Sequence, residues 1–205
     1  SYLSDPSGNH FTTSGLTVTD QMLDTPENNF CTWNPVLAST QGVWTSHGTA
    51  PQLIEGNLKT NPSTAHQNIL GTIGMSYGKW YWEGDTGVDD QSFGITAAAC
   101  LAGTSGYSYK SAGSYGVYPA QDNKIIAGVW SGSNTFGHLD STNDHLWMFA
   151  YDADNNKFWM GRDGVWVNNG DPNTGLGYSF EPNSSNKPYT PWVHPSGGTT
   201  DIYFH

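Results

Sequence analysis

The stretch Gly78-Lys79-Trp80-Tyr81-Trp82-Glu83 decides the fold. In an extended chain successive side chains point to opposite faces, so Trp80 and Trp82 share one face and Lys79, Tyr81 and Glu83 the other. Two indoles opposite two charges mark a strand half-buried against a core. Downstream, Gln91 to Thr96 repeats the pattern, with Phe93 and Ile95 together. The small-residue stretch Ala97 to Ala102, bracketed by Gly94 and Gly103, is too short for a stable helix. Gly113 to Tyr118, Lys124 to Trp130, Lys157 to Met160, Val165 to Val167, Tyr189 to Val193 and Thr200 to Phe204 read as further strands, punctuated by turn residues such as Asp163-Gly164. Leu146 to Tyr151 is apolar on both faces, as a central, doubly covered strand would be. Upstream, Gly15 to Thr19 is the one convincing strand of residues 1–30. About eleven to thirteen short strands and no helical window predict an all-β, two-sheet sandwich.

Composition agrees. Of 205 residues, 9 are Trp, 11 Tyr and 8 Phe, with 25 Gly and 11 Pro, while 12% are charged against about 25% in an average domain. Aromatic rings bury large areas with few rotatable bonds, which suits a loop-rich β protein. A chain of this length can bury roughly 70% of its unfolded surface, so a core needs no staples. Seven basic against 18 acidic side chains give a net charge of −11. No basic cluster exists to neutralise phosphates, so nucleic acid is not expected as a partner. The uncharged run near Ile95 to Ala102 is far too short to cross a bilayer, and membrane insertion is not expected. The two cysteines, Cys31 and Cys100, exclude a disulfide framework and are expected as buried, reduced thiols.

Catalytic and metal chemistry find little footing. Asp152-x-Asp154-x-Asn156 imitates the start of a calcium loop, but Lys157 and Asp163 stand where Gly and a bidentate Glu belong. Asp and Asn are also the usual occupants of a hairpin turn. The seven histidines are scattered without metal-binding spacing, so no metal and no cofactor is expected. Glu83 and Asp85, at i and i+2, fall on one strand face, as the paired carboxyls of a glycoside hydrolase would. Gly87 and Val88 stand where the second Glu of that pattern belongs, so the chain is expected to be no enzyme and to have no catalytic residues. Asn183-Ser184-Ser185 is a formal glycosylation acceptor.

Rings beside Gly/Ser-rich loops remain as binding candidates. Tyr107 and Tyr109 lie in the 103–112 loop, Trp130 and Phe136 in the 130–138 loop, and Trp166 beside an Asp-Gly turn. Loops vary without disturbing sheets, and ring faces offer adaptable contact area. These five residues are the expected ligand-binding surface.

The motifs taken together resemble a known family. Gly78-Lys79-Trp80-Tyr81-Trp82-Glu83, then Ser92-Phe93-Gly94-Ile95, then Asp152 to Gly164 ending in Phe158-Trp159-Met160-Gly161-Arg162-Asp163-Gly164, is similar in order and type to the SPRY (B30.2-like) domain, over about residues 70–204. The resemblance implies a concanavalin-like sandwich of two antiparallel sheets that binds partners through loops at one edge, without catalysis. A second resemblance covers Asp5 to Thr12 and Asp24 to Pro35. These look like the lead-in before SPRY-like domains in tail-fibre-like and other virion proteins of bacteriophages, as does Asp163-Gly164-Val165-Trp166-Val167 through Pro172. It implies a lead-in over residues 1–40 packing on a sandwich over 41–205, or one continuous domain. It further implies a fibre, tail-associated or capsid-decorating protein at the virion surface. Its expected partners are other virion proteins and a host cell-surface glycan or protein. A homo-oligomer, with a trimer favoured, is expected from the low surface charge and the analogy to fibres.

Overall fold

The structure is a computed structural model that describes residues 30–35, 52–61, 69–86, 91–97, 112–119, 123–131, 145–195 and 202–204. Two compact units divide the chain, Ser1–Phe30 and Cys31–His205. The strand expected at 15–19 and most of the expected lead-in lie outside the described residues.

Thirteen strands form among the described residues. They are β1 (Gln52–Ile54), β2 (Lys59–Asn61), β3 (Ile69–Leu70), β4 (Lys79–Thr86), β5 (Gln91–Ala97), β6 (Ser114–Tyr118), β7 (Asn123–Ile126), β8 (Val129–Ser131), β9 (His145–Asp152), β10 (Lys157–Arg162), β11 (Val165–Trp166), β12 (Tyr189–Pro195) and β13 (Ile202–Phe204). Seven form one sheet in the order β1-β2-β13-β4-β9-β10-β11, and six form the other in the order β3-β12-β5-β6-β7-β8. Neighbours such as β4 and β9, β9 and β10, and β5 and β12 pair antiparallel. The all-β, two-sheet antiparallel sandwich is the fold.

The alternation read in β4 sets the core. Trp82 is buried, and its ring stacks on Phe149 of β9 at 5.3 Å and on Phe158 of β10 at 6.0 Å. From the opposing sheet, Phe93 meets Trp147 edge-on at 4.7 Å and Phe149 at 6.0 Å. Tyr189 closes on Tyr151 at 5.8 Å. Offset and edge-to-face pairs of this kind add to the stabilisation from burial alone. Trp80 shares Trp82's face but packs only partly against this cluster, and its indole N–H donates to the Tyr77 carbonyl at 2.8 Å. Phe158 takes the core position, while Trp159 points to the other side of the sheet. Trp33, within the stretch expected as lead-in, is buried in the same core and bridges to Gly71 beside β3.

One motif glycine, Gly94, has a steric reason. Gly94 and Gly116 are register partners on β5 and β6. A Cβ on either would run into the other strand's backbone, closer than side chains ever approach. Gly78 (φ +80°) ties the first motif to the third. Its N–H donates to Asp154 Oδ1 at 3.0 Å, and its carbonyl accepts from the Ala153 N–H at 2.9 Å.

The structure corrects one strand. Lys124 to Trp130 reads as continuous, but Ala127 and Gly128 both have positive φ and turn the chain between β7 and β8. A two-residue turn of that hand matches strand twist, and Ala-Gly lacks the Asn or Asp that usually announces it. Asp163-Gly164 does announce its turn, with φ of 49° and 83°. Leu146 to Tyr151 is covered on both faces as expected, but differently on each. Trp147, Phe149 and Tyr151 enter the core, while Met148 and Ala150 are buried on the outer side of the sheet.

Candidate functional site

The outer face of the seven-stranded sheet can be written as rows of register partners. Lys79, Asp152 and Lys157 form one row, and Tyr81, Ala150 and Trp159 the next. The third runs Glu83, Met148, Gly161 and Trp166. Small side chains interrupt large ones: Ala150 lies between Tyr81 and Trp159, and Gly161 lies beside Trp166. A Cβ at Gly161 would come within 2.6 Å of the Met148 methyl, 2.8 Å of the Val165 carbonyl oxygen and 3.0 Å of the Trp166 ring. The missing side chain is what lets the indole lie over the sheet. The result is a hollow of about 350 Å³, lined by Tyr81, Ala150, Asp152, Trp159, Trp166 and Asn173 among others, with Lys79 and Pro172 also contributing.

The walls are held before any ligand arrives. Tyr81 and Trp166 meet edge to face at 6.3 Å. The Tyr81 hydroxyl donates to the Glu83 carboxylate two residues on, which fixes the ring along the strand. Burial, that hydrogen bond and the Glu83 charge push the Tyr81 hydroxyl up to about 12, so it remains a donor near neutral pH. The ring itself is 55% exposed. Trp159 is buried, and its indole N–H donates to the Leu176 carbonyl at 2.7 Å.

The segment after β11 forms the far wall. Asp171 pairs with Leu176, and its side chain accepts from the Asn173 N–H at 2.9 Å. The Gly175 N–H donates to the Asp171 carbonyl at 3.0 Å. Hydrogen bonds from Asn173 and Thr174 hold the Asp171 carboxyl below its ordinary value. Lys157 reaches the same segment, donating to the Gly175 carbonyl at 3.0 Å and lying over the Tyr178 ring at 5.3 Å.

Asp152 marks the polar end of the hollow. Its oxygens accept from the Asn155 N–H at 3.0 Å and from the Asn155 amide at 2.9 Å. Burial pushes this carboxyl up, but the Asn155 bonds, Lys79 and the Asp154 N–H outweigh it and hold it below its usual value. Of the acids that imitate a calcium loop, Asp152 is thus engaged within its own turn, and Asp154 accepts from the Gly78 N–H.

Of the five residues expected to bind, Tyr107, Tyr109 and Phe136 lie outside the described residues. Trp166 lines the hollow. Trp130 sits on the edge strand β8 of the other sheet, 38% exposed and stacked on Tyr118 at 5.4 Å. The hollow does not bring Trp130 and Trp166 together. Its other residues, chiefly Tyr81, Trp159 and Asp152, were not picked out from the sequence. The alternation of β4 already turned Lys79 and Tyr81 outward, and that was the available signal. Cys31 is a free, half-buried thiol, pushed up by burial, and Cys100 lies outside the described residues.

The SPRY domain of human HERC1 superposes with a TM-score of 0.57 at 10% identity, covering 84% of this chain and 96% of that domain. The PSpry domain of TRIM65 gives 0.61 at 13%, covering 86% and 90%. The fold is SPRY-like. Stonustoxin contains a similar region, with a TM-score of 0.56 at 18% identity over 96% of this chain and 31% of its own. No protein-family model and no curated protein sequence matches the chain. The SPRY-like likeness therefore lives in the sandwich rather than in overall sequence.

Proposed function

We propose that the chain is a non-enzymatic binding and structural component of a bacteriophage particle. It uses its SPRY-like sandwich to contact the host surface or neighbouring virion subunits, as a fibre, tail-associated or capsid-decorating protein. The observation that carries the binding role is the preformed, ring-lined hollow on the outer sheet face, since concave sites with a few fixed polar groups are where ligands bind. The particle context rests on the phage-like lead-in at Asp5 to Thr12 and Asp24 to Pro35. Low charge density supports it, because exposed ion pairs add little to an assembly at high ionic strength. Association with itself, as a trimer in a fibre, belongs to the same reading. A second reading, a cellular SPRY interaction module with a peptide ligand, is favoured by the fold likeness to the human HERC1 domain.

The test is immunological. Antibody raised against the chain should label intact, purified phage particles and slow their adsorption to host cells. Isolated chain incubated with host-surface glycans should release no reducing ends. A chain absent from purified particles overturns the virion role, and glycan hydrolysis overturns the non-enzymatic one.

A further inference from the structure

We infer that the hollow between Tyr81, Trp166 and the 171–176 segment is a saccharide subsite that seats one neutral pyranose ring. The inference rests on reading the sandwich as a binding module and names its ligand class. Three observations carry it.

The first is size. About 350 Å³ is near the lower end of small-ligand pockets, roughly 300 to 1,000 Å³, which suits a single ring rather than an extended peptide. The second is surface chemistry. Tyr81 and Trp166 offer ring area at right angles, 72° apart, so a flat C–H face can lie on one ring while an edge meets the other. Around them stand an ammonium (Lys79), a carboxylate (Asp152) and an amide (Asn173). These supply donors and acceptors together, the mixture that ring hydroxyls need. Asp152 already accepts two hydrogen bonds, yet a carboxylate has about four lone-pair sites and can take more.

The third observation is charge. Lys79 and Asp152 are register partners, so the lining carries one charge of each sign. Lys79 and Asp152 already act on each other, so a ligand charge of either sign meets no unpaired opposite charge there. Removing a charged ligand from water without such a partner is costly. A neutral polyol with an apolar face avoids that cost. Because the walls are fixed by Glu83, Leu176 and Asp171, binding orders little of the protein, which favours recognition of a small ligand.

The full chain should be titrated with the methyl glycosides of glucose, galactose and mannose, and with glucuronate and glucosamine. Binding is read by saturation-transfer NMR and by tryptophan fluorescence. At least one neutral glycoside should bind, with saturation strongest on its ring C–H protons. The two charged sugars should bind about tenfold more weakly or less. Trp166→Ala should lose binding by about tenfold or more, Trp166→Phe should restore part of it, and Trp130→Ala should leave it unchanged. Thermal unfolding of each variant checks that the sandwich persists. Failure of every neutral glycoside, equal binding of the charged sugars, or indifference to Trp166→Ala overturns the inference. An arginine-containing peptide bound in a Trp166-dependent way, with no sugar bound, also overturns it while leaving the binding-module reading standing. Label-free particles in the antibody experiment strike the particle role and leave the sugar result untouched.

Discussion

The two faces of the seven-stranded sheet use the same kinds of residue for opposite ends. On the inner face Trp82, Phe149 and Phe158 stack nearly parallel, with interplanar angles of 13°, 13° and 6°. Their partners across the core come from the other sheet. On the outer face Tyr81, Trp159 and Trp166 stand around the small Ala150 and Gly161, and the space between them remains open. What separates a core from a site is therefore the residue between the rings. Met160 fills the inner row beside Phe149, whereas Ala150 leaves the outer row hollow. The largest expected effect follows from this difference. Trp82→Ala should lower the unfolding free energy by about 3 to 5 kcal/mol, through lost transfer energy and a cavity the stacked neighbours cannot close. Trp166→Ala, on the opposite face, should change it by about 1 kcal/mol or less. Urea unfolding of the two variants measures both, and equal losses would erase the distinction between the faces.

Gly161 is a tightly packed point of the outer face. It is buried on the outer side of β10, between the Met148 methyl and the Trp166 ring, with the Val165 carbonyl of the paired strand close by. The methyl end can swing aside, but the carbonyl belongs to the sheet and cannot. Gly161→Ala should therefore destabilise by about 1 to 3 kcal/mol, the usual range for overpacking. It should also push the Trp166 ring away from the sheet, shifting its fluorescence toward that of exposed indole. Unchanged stability with unchanged fluorescence would mean that Trp166 does not depend on the missing side chain.

The contrast also explains what could be read in advance. Alternation placed Trp82 inward and Tyr81 outward correctly, because a period of two is a property of the extended backbone alone. The sandwich followed from the same periodicity repeated through β5, β9 and β10. Which of Phe158 and Trp159 faces the core is not legible locally, because a tryptophan beside a phenylalanine gives no sign of it. Only the register with Ala150 reveals it. The hollow itself depends on Ala150 and Gly161 facing large rings across strands, a relation between distant positions that no local pattern carries. The Ala127-Gly128 turn was missed for a simpler reason: nothing but φ distinguishes it from a strand interior. Trp166, beside the Asp163-Gly164 turn, lines the hollow, while Trp130, beside a Gly/Ser-rich loop, stands on the edge of the other sheet.

The smallest expected effect concerns the polar end of the outer face. Asn155 is exposed at the tip of the β9–β10 hairpin, and its amide donates to Asp152 at 2.9 Å while its backbone N–H donates at 3.0 Å. Asn155→Ala removes the first bond and keeps the second. The loss at pH 7 should be about 0.5 to 1 kcal/mol, the low end for a hydrogen bond whose partners regain water. Its pH dependence has a definite sign. Asp152 is held below its unfolded value of about 3.9, so its bonds add stability that is complete above that pH. The contribution fades as the pH falls through the lower folded value, where the carboxylate takes a proton and accepts less well. The Asn155→Ala variant, whose Asp152 is depressed less, should therefore differ most from the parent at neutral pH. The two should converge as the pH falls below about 4. Sugar binding at pH 7 should be unaffected, since Asn155 does not line the hollow. A gap that widens on acidification would show that Asp152 is stabilised as the acid rather than as the carboxylate, and the rim of the hollow would then lack its charge balance.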